Sequence, residues 1–157
     1  MRYVEAPDTG ENLPPGFSVF LAGGISGCPD WQKELVDKLR DTDLIIYNPR
    51  QAHFPMGDKE AGLRQIKWEA HYLEKPSCII FWFPMETICP IVLFELGSWS
   101  MTEKPIFVGC HPDYSRRFDV ETQLVIRRPD VKVVYDLKCL ADQLSAHVEE
   151  PRLKDGD

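Results

Sequence analysis

"CIIFWFP", residues 78–84, sets six apolar side chains in a row and stops at a proline. A strand with one wet face alternates apolar and polar residues; a strand buried on both faces reads as an unbroken apolar run. The stretch therefore predicts an interior strand of a parallel sheet, covered by helices on either side. Four further runs share its character: "FSVFLAG" (17–23), "LIIYNPR" (44–50), "KPIFVGC" (104–110) and "VKVVYDL" (131–137).

Helical spacing fills the gaps between them. Trp31, Leu35 and Leu39 recur every four residues, predicting a helix over 30–40 with Cys28 or Asp30 as N-cap. After a loop over 51–58, Leu63, Ile66, Ala70 and Leu73 mark a second helix over 59–75. Pro90 opens a third, because the first helical position needs no amide donor. A fourth is expected over 119–127 and a last one up to 147. Strands alternating with helices give an α/β, doubly wound, five-stranded parallel sheet with helices on both faces. In such sheets ligands sit at the carboxyl ends of the strands, near the switch in strand order. The polar, Pro- and Gly-rich residues 1–16 read as a leader packed loosely on the surface. Residues 17–148 read as one domain, and 149–157 as a flexible tail.

Composition narrows the partners. A 157-residue chain with 43% hydrophobic and 27% charged residues can bury a core without disulfides or metal. A net charge of −7 argues against nucleic acid or an anionic membrane as the main partner. Five cysteines (Cys28, Cys78, Cys89, Cys110, Cys139) lack CxxC spacing, which suits a reducing cytoplasm. No run spans a bilayer, and no secretory profile opens the chain. His53, His71, His111 and His147 are too dispersed for a metal centre, so neither metal nor cofactor is assigned.

Two features carry chemistry. The turn "LAGGISG" (21–27) follows the first of these strands and lets backbone approach a ligand closely, yet it matches neither GxGxxG nor a P-loop. A tight strand-to-helix turn is its simpler reading. In "PIVLFELGSW" (90–99), Glu95 is the one charge in an apolar run. It shares a helix face with Ile91, Ser98 and Trp99, and either points to water or stands at a cleft where chemistry needs it.

The ordered set "FLAGGISGCPDWQ", "YNPR", "QIKWE", "IIFWFP", "FELGSW" and "KPIFVG" resembles the nucleoside 2-deoxyribosyltransferase family and its nucleotide N-glycosidase relatives over residues 17–137. The resemblance implies a flavodoxin-like fold and a homo-oligomer in which a neighbouring subunit often completes the site. It makes Glu95 the nucleophile that captures the sugar of a nucleoside, as in retaining glycosidases. It places Phe20, Ala22, Gly23 and Gly24 along the pocket, with Arg50 and Gln51 toward the base edge. Three positions depart from the family pattern: Ser77 and Cys89 stand where carboxylates are common, and Phe20 where a tyrosine is. Glu86 and Glu69 are acidic substitutes, against the simpler reading that both are solvated charges. Cys89 lacks an evident base to activate it. Trp68, Trp82 and Trp99 read as core, with Trp82 also placed to stack on a base.

The function expected is transfer of the sugar of a (deoxy)nucleoside to another free nucleobase through a glycosyl-Glu95 intermediate. A hydrolase of nucleoside 5′-monophosphates is the alternative, for which Ser26 and Ser98 are suited. A catalytically weakened nucleotide-binding module is the third reading.

Overall fold

The computed structural model describes residues 1–154. Its elements in chain order are β1 (Arg2–Glu5), β2 (Ser18–Gly23), α1 (Trp31–Lys38), β3 (Ile45–Asn48), α2 (Lys59–Glu74), β4 (Cys78–Phe83), α3 (Pro90–Trp99), β5 (Ile106–Cys110), α4 (Arg117–Arg127) and α5 (Leu137–Lys154). The five strands form one sheet in the order β1-β3-β2-β4-β5, and every pairing is parallel. This is the α/β, flavodoxin-like arrangement expected from the sequence.

The unbroken apolar strand lies where its composition demands. All six residues of β4 are buried, between β2 and β5. Alternate side chains enter two separate cores. Ile79, Phe81 and Phe83 join Trp68 and Tyr72 of α2, Val92 and Leu96 of α3, and Leu124 of α4. Cys78, Ile80 and Trp82 face the other way, onto Trp31 and Leu35 of α1 and Leu140 and Leu144 of α5. The chain leaves β2 for β3 on one side, then crosses back to β4 on the other. The switch point is thus the carboxyl end of β2, where the strands on either side diverge.

The composition of the sheet differs from the expectation at both edges. Residues 2–5, expected in a loose leader, are the edge strand β1, paired with β3 from Arg2↔Ile45 to Glu5↔Asn48. The segment behind β1 is fastened too: Trp68 Nε1 donates to the Asp8 carbonyl at 2.7 Å, and the Tyr72 hydroxyl to that of Thr9. A four-residue edge strand carrying Arg and Glu has no apolar run to betray it. Residues 131–137, expected as the fifth strand, contribute only an isolated bridge between Val134 and Gly109.

Two helices also need correction. In α2 the buried residues are Ala61, Trp68, Tyr72 and Leu73, while Leu63 and Ile66 are exposed. The large aromatic rings outweigh the aliphatic stripe in choosing the face. In α5 the helix continues to Lys154, so residues 149–154 of the expected flexible tail are helical; 155–157 lie outside the described residues.

Candidate active site

A cavity of about 270 Å³ opens at the switch point. Its floor is the end of β2, with Phe20, Ala22 and Gly23, and the following turn, Gly24 to Ser26. One wall is the start of α3, from Cys89 through Val92, with Glu95 one turn further on; Pro49 and Thr87 close the rim. Across from Glu95, α2 supplies Glu69.

Close approach decides the glycines. A Cβ on Gly23 would stand 2.3 Å from Cζ2 of Trp31, whose ring lies against the turn from beneath. A Cβ on Gly24 would meet Cys89 Sγ at 2.9 Å and Pro84 Cγ at 2.8 Å. The turn after β2 and the turn before α3 therefore touch only because Gly24 has no side chain.

The start of α3 is unusual. Cys89 occupies the N-cap position with φ of 52°, a left-handed conformation uncommon for a residue with a Cβ, and it offers no side-chain cap. Pro90 supplies no amide. The backbone N–H groups of the first turn are left without a side-chain acceptor at the mouth of the cavity.

Electrostatics inside the cavity are dominated by the two carboxyls. Burial pushes Glu95 up to about 8, and the charge of Glu69 pushes in the same direction. Burial also raises Glu69, opposed by a hydrogen bond that Gln65 Nε2 donates to its Oε1 at 2.8 Å. The two carboxyls facing this largely apolar cavity disfavour full ionisation, and Glu95 keeps its proton at neutral pH. The Gln65 hydrogen bond favours the charged form of Glu69. Among the described residues, no lysine or arginine lines the cavity. The Cys89 thiol is pushed up to about 11, first by burial and then by Cys28, so it is a packing group and not a nucleophile.

Phe20, Ala22, Gly23, Gly24, Cys89 and Glu95 thus meet around one space, and so does Glu69, for which a solvated position was the simpler expectation. Others stand elsewhere. Ser77 precedes β4 at the opposite end of the sheet, where its Oγ and amide exchange hydrogen bonds of 3.1 Å with Ser18. Trp82 points into the α1/α5 core, against Gly109, and cannot stack on a ligand in the cavity. Glu86 is exposed outside the lining. Ser98 is exposed as well, its Oγ donating to the Phe94 carbonyl at 3.0 Å. Arg50 turns under the β2–α1 turn, donating to the carbonyls of Pro29 (2.9 Å) and Cys28 (3.1 Å) and to Gln32 Oε1 (3.1 Å). Gln51 reaches the site only through others: it donates to Gln65, which donates to Glu69. Ile25, Thr87 and Gln65 were not anticipated, since their roles come from a turn and a helix face that no local pattern marks.

An apolar hollow of this size at a switch point, with two carboxyls facing it, can bind a small neutral ligand, attack it with an oxyanion and protonate a leaving group. No helix among the described residues is long and apolar enough to cross a membrane. No curated protein matches the chain. The model of the family described as "Nucleoside 2-deoxyribosyltransferase like" matches residues 16–114, which include the whole cavity, and the chain belongs to that family.

Proposed function

We propose that the protein cleaves the N-glycosidic bond of a 2′-deoxyribonucleoside through a covalent glycosyl-Glu95 intermediate and passes the sugar to a second nucleobase. The observation that carries this reading is the pair Glu95 and Glu69, which face one cavity from different helices. Carboxylate attack at C1′ forms the ester bond as the C1′–N bond breaks. The pair's single proton leaves Glu95, which becomes the nucleophile, and ends on the departing nitrogen of the base by way of Glu69. Attack by an incoming base then returns the sugar with retention and restores the proton. Glu69 thus fills the acid role for which neither Ser77 nor Glu86 is placed, and this weighs against a merely binding module. Apolar walls at Phe20, Ala22 and Val92 keep water from the intermediate.

A lining without lysine or arginine favours an uncharged nucleoside. The second reading, hydrolysis of a nucleoside 5′-monophosphate, is favoured by the uncapped amides of α3 and the hydroxyls of Ser26 and Thr87 at the cavity.

The protein is also proposed to act as a homo-oligomer, in the reducing cytoplasm that its five free thiols suit. Helix α3 is apolar on nearly every side, yet Ile91 and Phe94 are 65% and 73% exposed. A helix without a polar face normally has protein on all sides.

The test is incubation with each common 2′-deoxynucleoside and free adenine or cytosine, followed by product analysis. Exchange or hydrolysis that vanishes in Glu95→Ala is expected. Equal inactivity of wild type and variant on nucleosides and their monophosphates would remove the proposal. Comparing nucleoside with monophosphate separates the two readings.

A further inference from the structure

Gln32 of α1 is a polar side chain with no solvent exposure, yet it lies outside the cavity. A buried amide is costly unless both its ends are matched. Both are: Nε2 donates to the Gly24 carbonyl at 3.3 Å, and Oε1 accepts from Arg50 at 3.1 Å. The same carbonyl accepts from Trp31 Nε1 at 2.8 Å. Two donors therefore occupy the two lone pairs of one oxygen. Arg50 in turn grips the carbonyls of Cys28 and Pro29, at the far end of the turn.

The peptide bond converts this grip into a feature of the cavity. In a planar trans peptide the C=O of one residue and the N–H of the next point in opposite directions. With the Gly24 oxygen drawn toward α1, the Ile25 N–H is turned away from α1, to the side on which Gly24 and Ile25 line the cavity. Among the described residues that amide has no backbone or side-chain acceptor. An unpartnered donor on a turn fixed by its neighbours is a ready partner for an oxygen of the ligand.

We infer that Gln32 and Arg50 are positioning residues, which hold the Gly24–Ile25 peptide so that the Ile25 amide donates to a sugar oxygen of the bound nucleoside. This inference rests on the proposed reading for the identity of the ligand, though the clamp itself does not. Neither residue touches the substrate. Each acts through the carbonyls it holds.

The experiment compares wild type with Gln32→Met and Arg50→Met by melting temperature, by steady-state kinetics on 2′-deoxynucleosides, and by the amide spectrum of ¹⁵N-labelled protein. Melting temperatures within about 4 °C of wild type show that the fold is kept. With the fold kept, kcat/KM is expected to fall about tenfold or more, the order of loss that follows misplacement of one aimed donor. The Ile25 resonance, which shifts on nucleoside binding in wild type, is expected to stop responding. Unchanged kinetics and an unchanged Ile25 response would overturn the inference. Should a variant unfold, Arg50→Lys, which keeps one donor, replaces it in the same comparison. Should wild type turn over no nucleoside at all, the reading of the site fails separately. The clamp is then judged by the ¹⁵N order parameter of the Ile25 amide in the free protein: a lower value in Gln32→Met upholds it, and an identical value overturns it.

Discussion

Glu69 and Glu95 reach one cavity from two helices that the chain joins only through the central strand β4. Burial holds Glu95 near 8, with the charge of Glu69 adding to the shift, whereas Glu69 is raised by burial and eased back by Gln65. A pair with one proton has both a nucleophile and an acid available, provided the proton can change sides.

The first prediction concerns pH and rate. As pH rises through about 8 the pair loses its shared proton. Protonation of the leaving base then fails, and kcat is expected to fall with it. At low pH the second carboxyl gains a proton and the nucleophile is lost. The profile of kcat should therefore be bell-shaped, and Glu69→Gln should lower kcat by about a hundredfold, within the usual range for an acid–base group. A wild-type profile flat across both limbs would contradict the shared-proton arrangement.

Stability gives a second prediction with the opposite sense from most carboxylates. Glu95 is raised from 4.5 to about 8 on folding. Between those values the unfolded chain releases the proton and the folded chain retains it. The unfolded state thus binds fewer protons, and stability falls as pH rises through that window, levelling off above it. Glu95→Gln removes this slope. The variant should match wild type below 4.5 and melt higher at about pH 8, by on the order of 5 °C. Calorimetry of both proteins across the window measures it, and parallel curves would contradict it.

A third prediction follows from Gly24. A methyl group there meets Cys89 Sγ and Pro84 Cγ below 3.0 Å, with Cys28 Sγ close by at 3.1 Å. Gly24→Ala should cost about 1–3 kcal/mol, as overpacking usually does. It should also weaken nucleoside binding, because the two turns that frame the cavity must part. Gly62→Ala, where an added Cβ meets nothing within 4 Å, is the control and should melt at or above wild type.

How much of this was legible beforehand depended on which signals are local. The apolar run of β4, the capping Asp30 of α1 and the Pro90 start of α3 are written in consecutive residues, and each element stands where it was expected. Edge β1 was hidden because "RYVE" owes its strand to pairing with β3, a partner some forty residues away. The segment 131–137 carried the right composition but reaches β5 with little more than Val134. The nucleophile's helix was legible for the same reason as β4. Arg50 was misread because its place is set by Gln32 and by the carbonyls of Cys28 and Pro29, none of which lies near it in sequence. Glu69 was undervalued because periodicity put α2's buried stripe on Leu63 and Ile66. Trp68 and Tyr72 rotate the helix instead, and that rotation carries the neighbouring Glu69 toward the cavity.

The last prediction tests the outer face of α3. The exposed residues of this helix are all apolar or small: Pro90, Ile91, Phe94, Gly97 and Ser98. Met85 and Ile88 before it and Met101 after it are exposed too. None of the large exposed apolar residues belongs to α1, on the opposite face of the sheet. Such one-sided exposure is what a second copy of the chain would cover. Sedimentation of wild type at micromolar concentration should give at least a dimer. Phe94→Asp places a charge at the centre of the face, where an unpaired buried carboxylate is costly, and should give monomer. Because Ile91 belongs both to this face and to the cavity lining, the monomeric variant should bind nucleoside more weakly while melting within a few degrees of wild type. A wild type that sediments as monomer at every concentration would leave α3 an exposed apolar helix and would exclude a neighbouring subunit from the site.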